Sequence, residues 1–224
     1  MCLVQLPGRG ARIGEPPFTC MKALVNAIAD QIDRERRCPY AFYGHSMGAT
    51  IGFELACELR RRYGTEPAAL FLSGRRAPHV PRSTPQSFDL PDDQFIAELR
   101  RLNGTPEEVL SDRKLLELFL PLLRADFQVV EQYRYQVQAR LSCPITVYGG
   151  LQDVDVSVQD LQMWQEHTVA EFQMRLFSGG HFFIQEVNNP DFLQALGRDV
   201  SATLITLRPG EQVPQRIDTG KRQG

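Results

Sequence analysis

No run in the sequence approaches the roughly twenty apolar residues that a membrane-spanning helix needs. The opening residues also lack the basic segment followed by an apolar one that directs secretion. Net charge is almost absent, with 25 Lys plus Arg against 27 Asp plus Glu giving −2 at neutral pH. No global field gathers a polyanion, so nucleic acid is not an expected partner. The five cysteines (Cys2, Cys20, Cys38, Cys57, Cys143) are an odd number, and the nearest pairs are 18 residues apart. That spacing excludes a disulfide framework and the C-x-x-C pattern of metal and redox sites. The four histidines (His45, His79, His167, His181) form no H-x-x-x-H pair. These absences predict a soluble, cytoplasmic chain with reduced, mostly buried thiols and no metal or redox cofactor.

What is present is ordinary globular material. The chain has 224 residues, 42% hydrophobic and 23% charged, and at about 150 residues per domain that length allows one large domain or two small ones. Cys2-Leu3-Val4-Gln5-Leu6 is strand-like and ends at Pro7-Gly8-Arg9-Gly10. Thr19 is placed to cap a helix whose apolar positions Met21, Leu24, Val25, Ile28 and Ile32 recur at three- and four-residue steps. A short strand is expected over 40–43, a helix over 49–62 with Gly64 as terminator, and a buried strand over 68–73. Strand, helix, strand, helix, strand implies a parallel sheet with right-handed crossovers.

The alternation then stops. Residues 78–140 read as helices alone: one over 92–102, then a start where Thr105 caps, Pro106 takes the first position and Glu108 completes a capping box. The helix after it carries Leu115, Leu116, Leu118, Phe119, Leu120, Leu122 and Leu123 on most sides, with Pro121 expected to kink or break it. Such a helix is either core or a lid that offers an apolar surface to a pocket. The sheet resumes over 143–148, a helix follows near 161–164, a strand alternates over 172–177, and a last helix starts near Pro190. The tail from 208 to 224, rich in Gly, Pro, Gln and charge, is expected to be disordered.

Gly44-His45-Ser46-Met47-Gly48 lies between a predicted strand and a predicted helix, the setting of a nucleophile elbow. Glycines on both sides free such a turn from Cβ clashes while it projects Ser46. A serine hydroxyl needs a base, and the base needs an acid to orient it. Gly149-Gly150-Leu151-Gln152-Asp153 and Ser178-Gly179-Gly180-His181 each follow a strand of the same sheet, so both side chains reach the edge that carries Ser46. The chain order Ser, Asp, His is that of the α/β-hydrolases. Asp155 is an alternative acid and Asp126 a remote one, whereas His45, His79 and His167 fit surface positions better than catalysis. The Met47 backbone N–H, at a helix start just after the nucleophile, is one oxyanion donor. Of the 25 basic residues 22 are arginine, and the runs Arg60-Arg61-Arg62, Arg75-Arg76 and Arg100-Arg101 read as solvated faces, with docking of an acidic protein as the alternative.

The chain resembles the stand-alone type II thioesterases of nonribosomal peptide and polyketide synthesis and the related medium-chain thioesterases of fatty acid synthesis. The resemblance rests on Leu6-Pro7-Gly8-Arg9-Gly10, Gly44-His45-Ser46-Met47-Gly48, Leu102-Asn103-Gly104-Thr105-Pro106, Leu123-Arg124-Ala125-Asp126, Gly149-Gly150-Leu151-Gln152-Asp153 and Gly180-His181-Phe182-Phe183, across residues 2 to about 205. It implies an α/β-hydrolase core over 1–77 and 141–207, a helical lid over 78–140, and Ser46, Asp153 and His181 as nucleophile, acid and base. It also implies a substrate acyl group carried on the 4′-phosphopantetheine of acyl or peptidyl carrier-protein domains, no cofactor of the enzyme's own, and a monomer that edits misloaded acyl groups. The family pattern opens with a further strand and a Gly-rich loop that gives a second oxyanion N–H. That segment has no counterpart in this sequence. Two expectations follow: the chain is a fragment of a longer active hydrolase, or it is a short form, weakly active or inactive, that serves as a carrier-protein interaction module. Since nothing in a serine triad separates thioesters from esters, a carboxylesterase or lipase on small esters is the alternative activity.

Overall fold

The computed structural model describes residues 2–32, 39–82, 84–185 and 189–206. Four strands, β1 (Phe42–His45), β2 (Leu70–Ser73), β3 (Ile145–Gly150) and β4 (Phe172–Phe177), form one parallel sheet in the order β1-β2-β3-β4. The register sets Gly44 opposite Leu72, Ser73 opposite Tyr148 and Gly150 opposite Phe177, so the carboxyl ends of the strands share one edge. β3 is buried along its whole length, as a central parallel strand covered on both faces should be.

The period of two decides which face each side chain enters. Leu70 and Leu72 of β2 point to one face, where Ile145 and Val147 of β3 meet Ala49, Phe53 and Ala56 of α2 (Met47–Tyr63). Ala69 and Phe71 point to the other, where Tyr148, Phe183 and Phe192 gather under α7 (Pro190–Thr206). The far side of α2 (Ile51, Leu55, Leu59) takes Met21, Leu24, Val25 and Ile28 of α1 (Met21–Ile32). α2 is thus buried on two sides, which fixes its amino terminus against the sheet edge. α6 (Val158–Gln162) runs into a 3₁₀ turn, Met163–His167, whose buried Trp164 donates its indole N–H to the Arg75 carbonyl at 2.7 Å.

Between β2 and β3 stand α3 (Asp92–Leu102), α4 (Glu107–Ser111) and α5 (Arg113–Glu131), and the described residues of 78–140 include no strand. Phe95, Leu99 and Leu110 pack with Leu116, Leu120, Leu123 and Phe127 into a separate small core. The other side of α5 leaves Leu115 and Leu118 exposed. Two buried or half-buried acids tie this insertion down: Asp126 takes Arg9 at 2.7 Å, and Glu131 accepts from Ser87, Phe88 and Arg82.

Several expectations are corrected. Cys2 to Leu6 form no strand, Cys2 to Gln5 being exposed and Leu6 half-buried, because a strand persists only where a neighbouring strand takes its backbone N–H and C=O groups; among the described residues no strand pairs with them. β1 runs to His45, two residues beyond the expected end. α1 starts after Cys20, whose carbonyl takes the first helical bond, rather than from a Thr19 cap. α4 starts at Glu107 with Pro106 as its cap residue, so Thr105 forms no capping box. Pro121 does not end its helix: α5 runs through it, capped by Asp112, and an exposed position lets water take the carbonyl that proline cannot serve. Cys57 and Cys143 are buried, but Cys2 and Cys20 are exposed; Cys38 and the tail 208–224 lie outside the described residues.

Candidate active site

Ser46 sits at φ 53°, ψ −114°, between the last residue of β1 and the first of α2. A non-glycine residue there carries strain of order 1–3 kcal/mol; the bond from its N–H to the Ser73 carbonyl at 2.8 Å helps hold it. The turn closes so tightly that a Cβ on Gly44 would lie 2.1 Å from the Gly48 carbonyl oxygen. Gly48 is different: a Cβ there meets nothing within 4 Å, so only the first motif glycine is sterically required. Met47 opens α2, and its N–H is among the first-turn donors that have no acceptor within the helix.

The loops after β3 and β4 run against each other. A Cβ on Gly150 would strike the Gly180 carbonyl oxygen at 2.3 Å, so glycine is what permits the approach. Leu151 donates to the Phe177 carbonyl at 2.8 Å, Gln152 to the Gly179 carbonyl at 2.9 Å, and the Gln152 side chain accepts from the Gly179 N–H. His181 and Asp153 emerge from this laced pair.

The structure brings Ser46, His181 and Asp153 together. His181 Nε2 stands 2.9 Å from Ser46 Oγ, and His181 Nδ1 stands 2.8 Å from Asp153 Oδ2. The Asp153 side chain is 2% exposed, and its other oxygen accepts the backbone N–H groups of Asp155 (2.9 Å) and Val156 (3.1 Å). Burial alone would raise its pKa, but the His181 hydrogen bond, the charge of that ring and the two N–H donors together hold it below the usual carboxylate range. An ionised Asp153 selects the tautomer with the proton on Nδ1, leaving the Nε2 lone pair toward the serine hydroxyl.

The other candidates lie elsewhere. Asp155 gives its carboxylate to Arg101 at 3.0 and 3.3 Å, and Asp126 pairs with Arg9. Of the remaining histidines, His79 stays partly exposed, but His45 and His167 do not take the expected surface positions. His45 is half-buried, 5.1 Å from the His181 ring between centroids, with Nδ1 3.0 Å from Ser73 Oγ; burial, then the charge of His181, pull its pKa to about 4. His167 is buried among Phe53, Tyr135 and Trp164, meets His79 at 2.7 Å, and burial likewise pulls it to about 4. Nor do all the arginine runs form solvated faces. Arg60, Arg61 and Arg62 pair with Glu66, Glu58 and Asp30 at the end of α2, but Arg76 is buried and Arg75 turns inward beneath the insertion. Among the described residues, no cluster of three or more His, Cys, Asp or Glu could hold a metal.

Two contacts of the insertion escaped the sequence reasoning. A Cβ on Gly104 would fall 2.3 Å from the Phe182 ring, and Phe182 stands edge-on to His181 at 5.0 Å. Arg101, three residues earlier, holds the loop of Asp153 through Asp155. The segments containing Gly104 and Phe182 were visible as motifs; that they touch was not.

Comparison with known proteins places this geometry in context. A family model described as "Thioesterase domain" matches residues 1–200. The gramicidin S biosynthesis protein GrsT of Aneurinibacillus migulanus is 46% identical over 186 residues, 83% of this chain and 73% of its own. A protein of Brevibacillus parabrevis named linear gramicidin dehydrogenase LgrE is 44% identical over 187 residues, 82% of this chain and 71% of its own. The solved structure of YbtT, a type II thioesterase from the yersiniabactin nonribosomal peptide/polyketide pathway, superposes with a TM-score of 0.79 at 31% identity, covering 90% of this chain and 82% of that one.

Proposed function

Since the chain belongs to the thioesterase domain family, we propose that it hydrolyses acyl thioesters on the 4′-phosphopantetheine of carrier-protein domains, editing misloaded acyl groups in nonribosomal peptide or polyketide synthesis. The observation that carries this reading is the unbroken relay from Ser46 Oγ through His181 to Asp153. Likeness to the pathway thioesterase YbtT supports the carrier-bound substrate.

In this mechanism Ser46 Oγ bonds to the thioester carbonyl carbon while its proton passes to His181 Nε2, and Asp153 stabilises the imidazolium. The carbonyl oxygen takes the negative charge and meets the Met47 N–H; one such donor is worth about 3–4 kcal/mol of transition-state stabilisation. The C–S bond then breaks, and the pantetheine thiolate leaves with the proton from His181. A water gives a proton to His181, attacks the acyl-serine carbonyl, and Ser46 leaves with that proton. The α3–α5 insertion acts as the lid, and no cofactor takes part. The word "dehydrogenase" in the name of LgrE is not carried over, because the matched family and the serine relay both belong to hydrolysis.

The test compares acetyl-pantetheine thioester with an aryl acetate, for the unaltered chain and for Ser46→Ala. Thioester turnover that exceeds ester turnover and disappears in Ser46→Ala is expected. Equal efficiency on both substrates argues for a general esterase, and activity that survives Ser46→Ala overturns the triad.

A further inference from the structure

One turn beyond Ser46 in α2, Thr50 forms part of the wall of a cavity of about 830 Å³ between the end of β2 and the segment after α5. Arg75, Arg76, Arg82 and Arg134 line it, with Glu131 as the single acid among the described residues. That acid is fully committed: its oxygens accept from Arg82 (3.1 Å), the Ser87 N–H and hydroxyl (both 2.8 Å) and the Phe88 N–H (3.0 Å). Among the described residues, Arg76 donates only to the carbonyls of Pro81 and Asp155, and Arg134 only to those of Glu131 and Tyr133. The Arg75 side chain has one partner among the described residues, Thr50 Oγ1 at 3.2 Å from its Nε, which leaves both terminal nitrogens of its guanidinium without an acceptor there. Burial, then the charges of Arg76 and Arg82, lower its pKa to about 10, so it remains a cation at neutral pH.

Arg76 is buried, Arg75 is half-buried and Arg134 stands at the exposed rim; a cation removed from water without a carboxylate is costly, and three guanidinium groups without a carboxylate partner around one space call for a multiply charged anion. The planar arginine fork matches the oxygens of a phosphoryl group two at a time. The space also exceeds what a bare oxyanion fills, leaving room for an attached chain. We infer that this cavity is a binding site for a phosphoryl group, held by the two free nitrogens of Arg75 with Arg76 and Arg134 around it. The source is either free phosphate or the phosphopantetheine arm; only the second rests on the function proposed above.

Calorimetric titration of the chain with inorganic phosphate, 4′-phosphopantetheine and pantetheine tests this without reference to turnover. At least one phosphoryl ligand should bind about tenfold or more tightly than pantetheine, and Arg75→Gln should remove that advantage, as expected for a lost charged hydrogen bond. Preference for phosphopantetheine over inorganic phosphate identifies the arm as the ligand; equal or better binding of phosphate identifies the free ion. Equal binding of phosphopantetheine and pantetheine with no phosphate binding overturns the site, as does an Arg75→Gln variant of unaltered affinity. Should circular dichroism show Arg75→Gln unfolded, the exposed Arg134→Gln decides: affinity lowered several-fold supports the site and unchanged affinity overturns it. Thioester hydrolysis without phosphoryl preference sinks this inference alone, whereas phosphoryl binding without hydrolysis sinks only the proposed activity.

Discussion

Arg101 of α3 grips both carboxylate oxygens of Asp155, at 3.0 and 3.3 Å, while the backbone N–H of Asp155 donates to Asp153 at 2.9 Å. The insertion therefore helps to position the loop that orients His181. Arg101 is 42% exposed and shares its charge with Glu98, so the pair is worth about 0.2–1 kcal/mol. Arg101→Met is expected to lower kcat by up to about fivefold with little change in KM. Asp155→Asn should do the same, and the double variant should cost no more than either single one. Additive losses in steady-state kinetics would show that the two side chains act separately.

Gly104 makes the second contact between the insertion and the loops that carry Asp153 and His181. A methyl group added there cannot coexist with the Phe182 ring where it stands, 5.0 Å from His181. Gly104→Ala should displace Phe182 and lower kcat while the melting temperature changes little, because the position lies outside the core. Replacing the ring as well, with Phe182→Leu, should restore part of the loss. If the single variant keeps full activity, the insertion does not constrain the base through this contact.

The two glycines of the Ser46 turn should behave differently. Gly44→Ala drives a Cβ into backbone, which cannot rotate aside, so a stability loss of about 3 kcal/mol or more is expected. Gly48→Ala meets open space in the first turn of α2, where alanine is the better helix former by up to about 1 kcal/mol. Urea denaturation of both variants measures the contrast, and equal destabilisation would contradict it.

How much of this was legible in the sequence depended on whether a feature was local. Met21, Leu24, Val25 and Ile28 announce α1 because burial on one side imposes a helical period, and Gly64 announces the end of α2 because a φ of 67° suits glycine. Ser46, Asp153 and His181 could be placed on one edge because each follows a strand of a parallel sheet at a glycine-bearing loop. Tertiary surroundings were not legible. Cys2 to Leu6 has the pattern of a strand, but a strand exists only through its neighbour. Pro121 breaks a helix only where its lost hydrogen bond cannot be hydrated. His45, His167 and Arg75 read as surface residues by composition, and chain segments far away in sequence bury His167 and half-bury the other two.

Those buried histidines set how stability responds to acid. His45 and His167 are held neutral in the fold, each with a pKa near 4 against an ordinary 6.5. Between those values the unfolded chain binds protons that the native rings refuse, so stability rises with pH across that window and is lost as pH falls through it. At 1.36 kcal/mol per pKa unit each ring can contribute up to about 3 kcal/mol. Asp153, lowered in the fold, acts in the same direction further toward acid. The melting temperature should therefore fall between pH 6.5 and pH 4.5. His167→Gln removes one of the two titrating rings, and although the lost packing against Phe53 and Trp164 should lower stability at pH 7, the slope below pH 6.5 should be shallower by up to one proton, about 1.4 kcal/mol per pH unit. A variant with the same slope as the unaltered chain would show that His167 is already protonated in the native state.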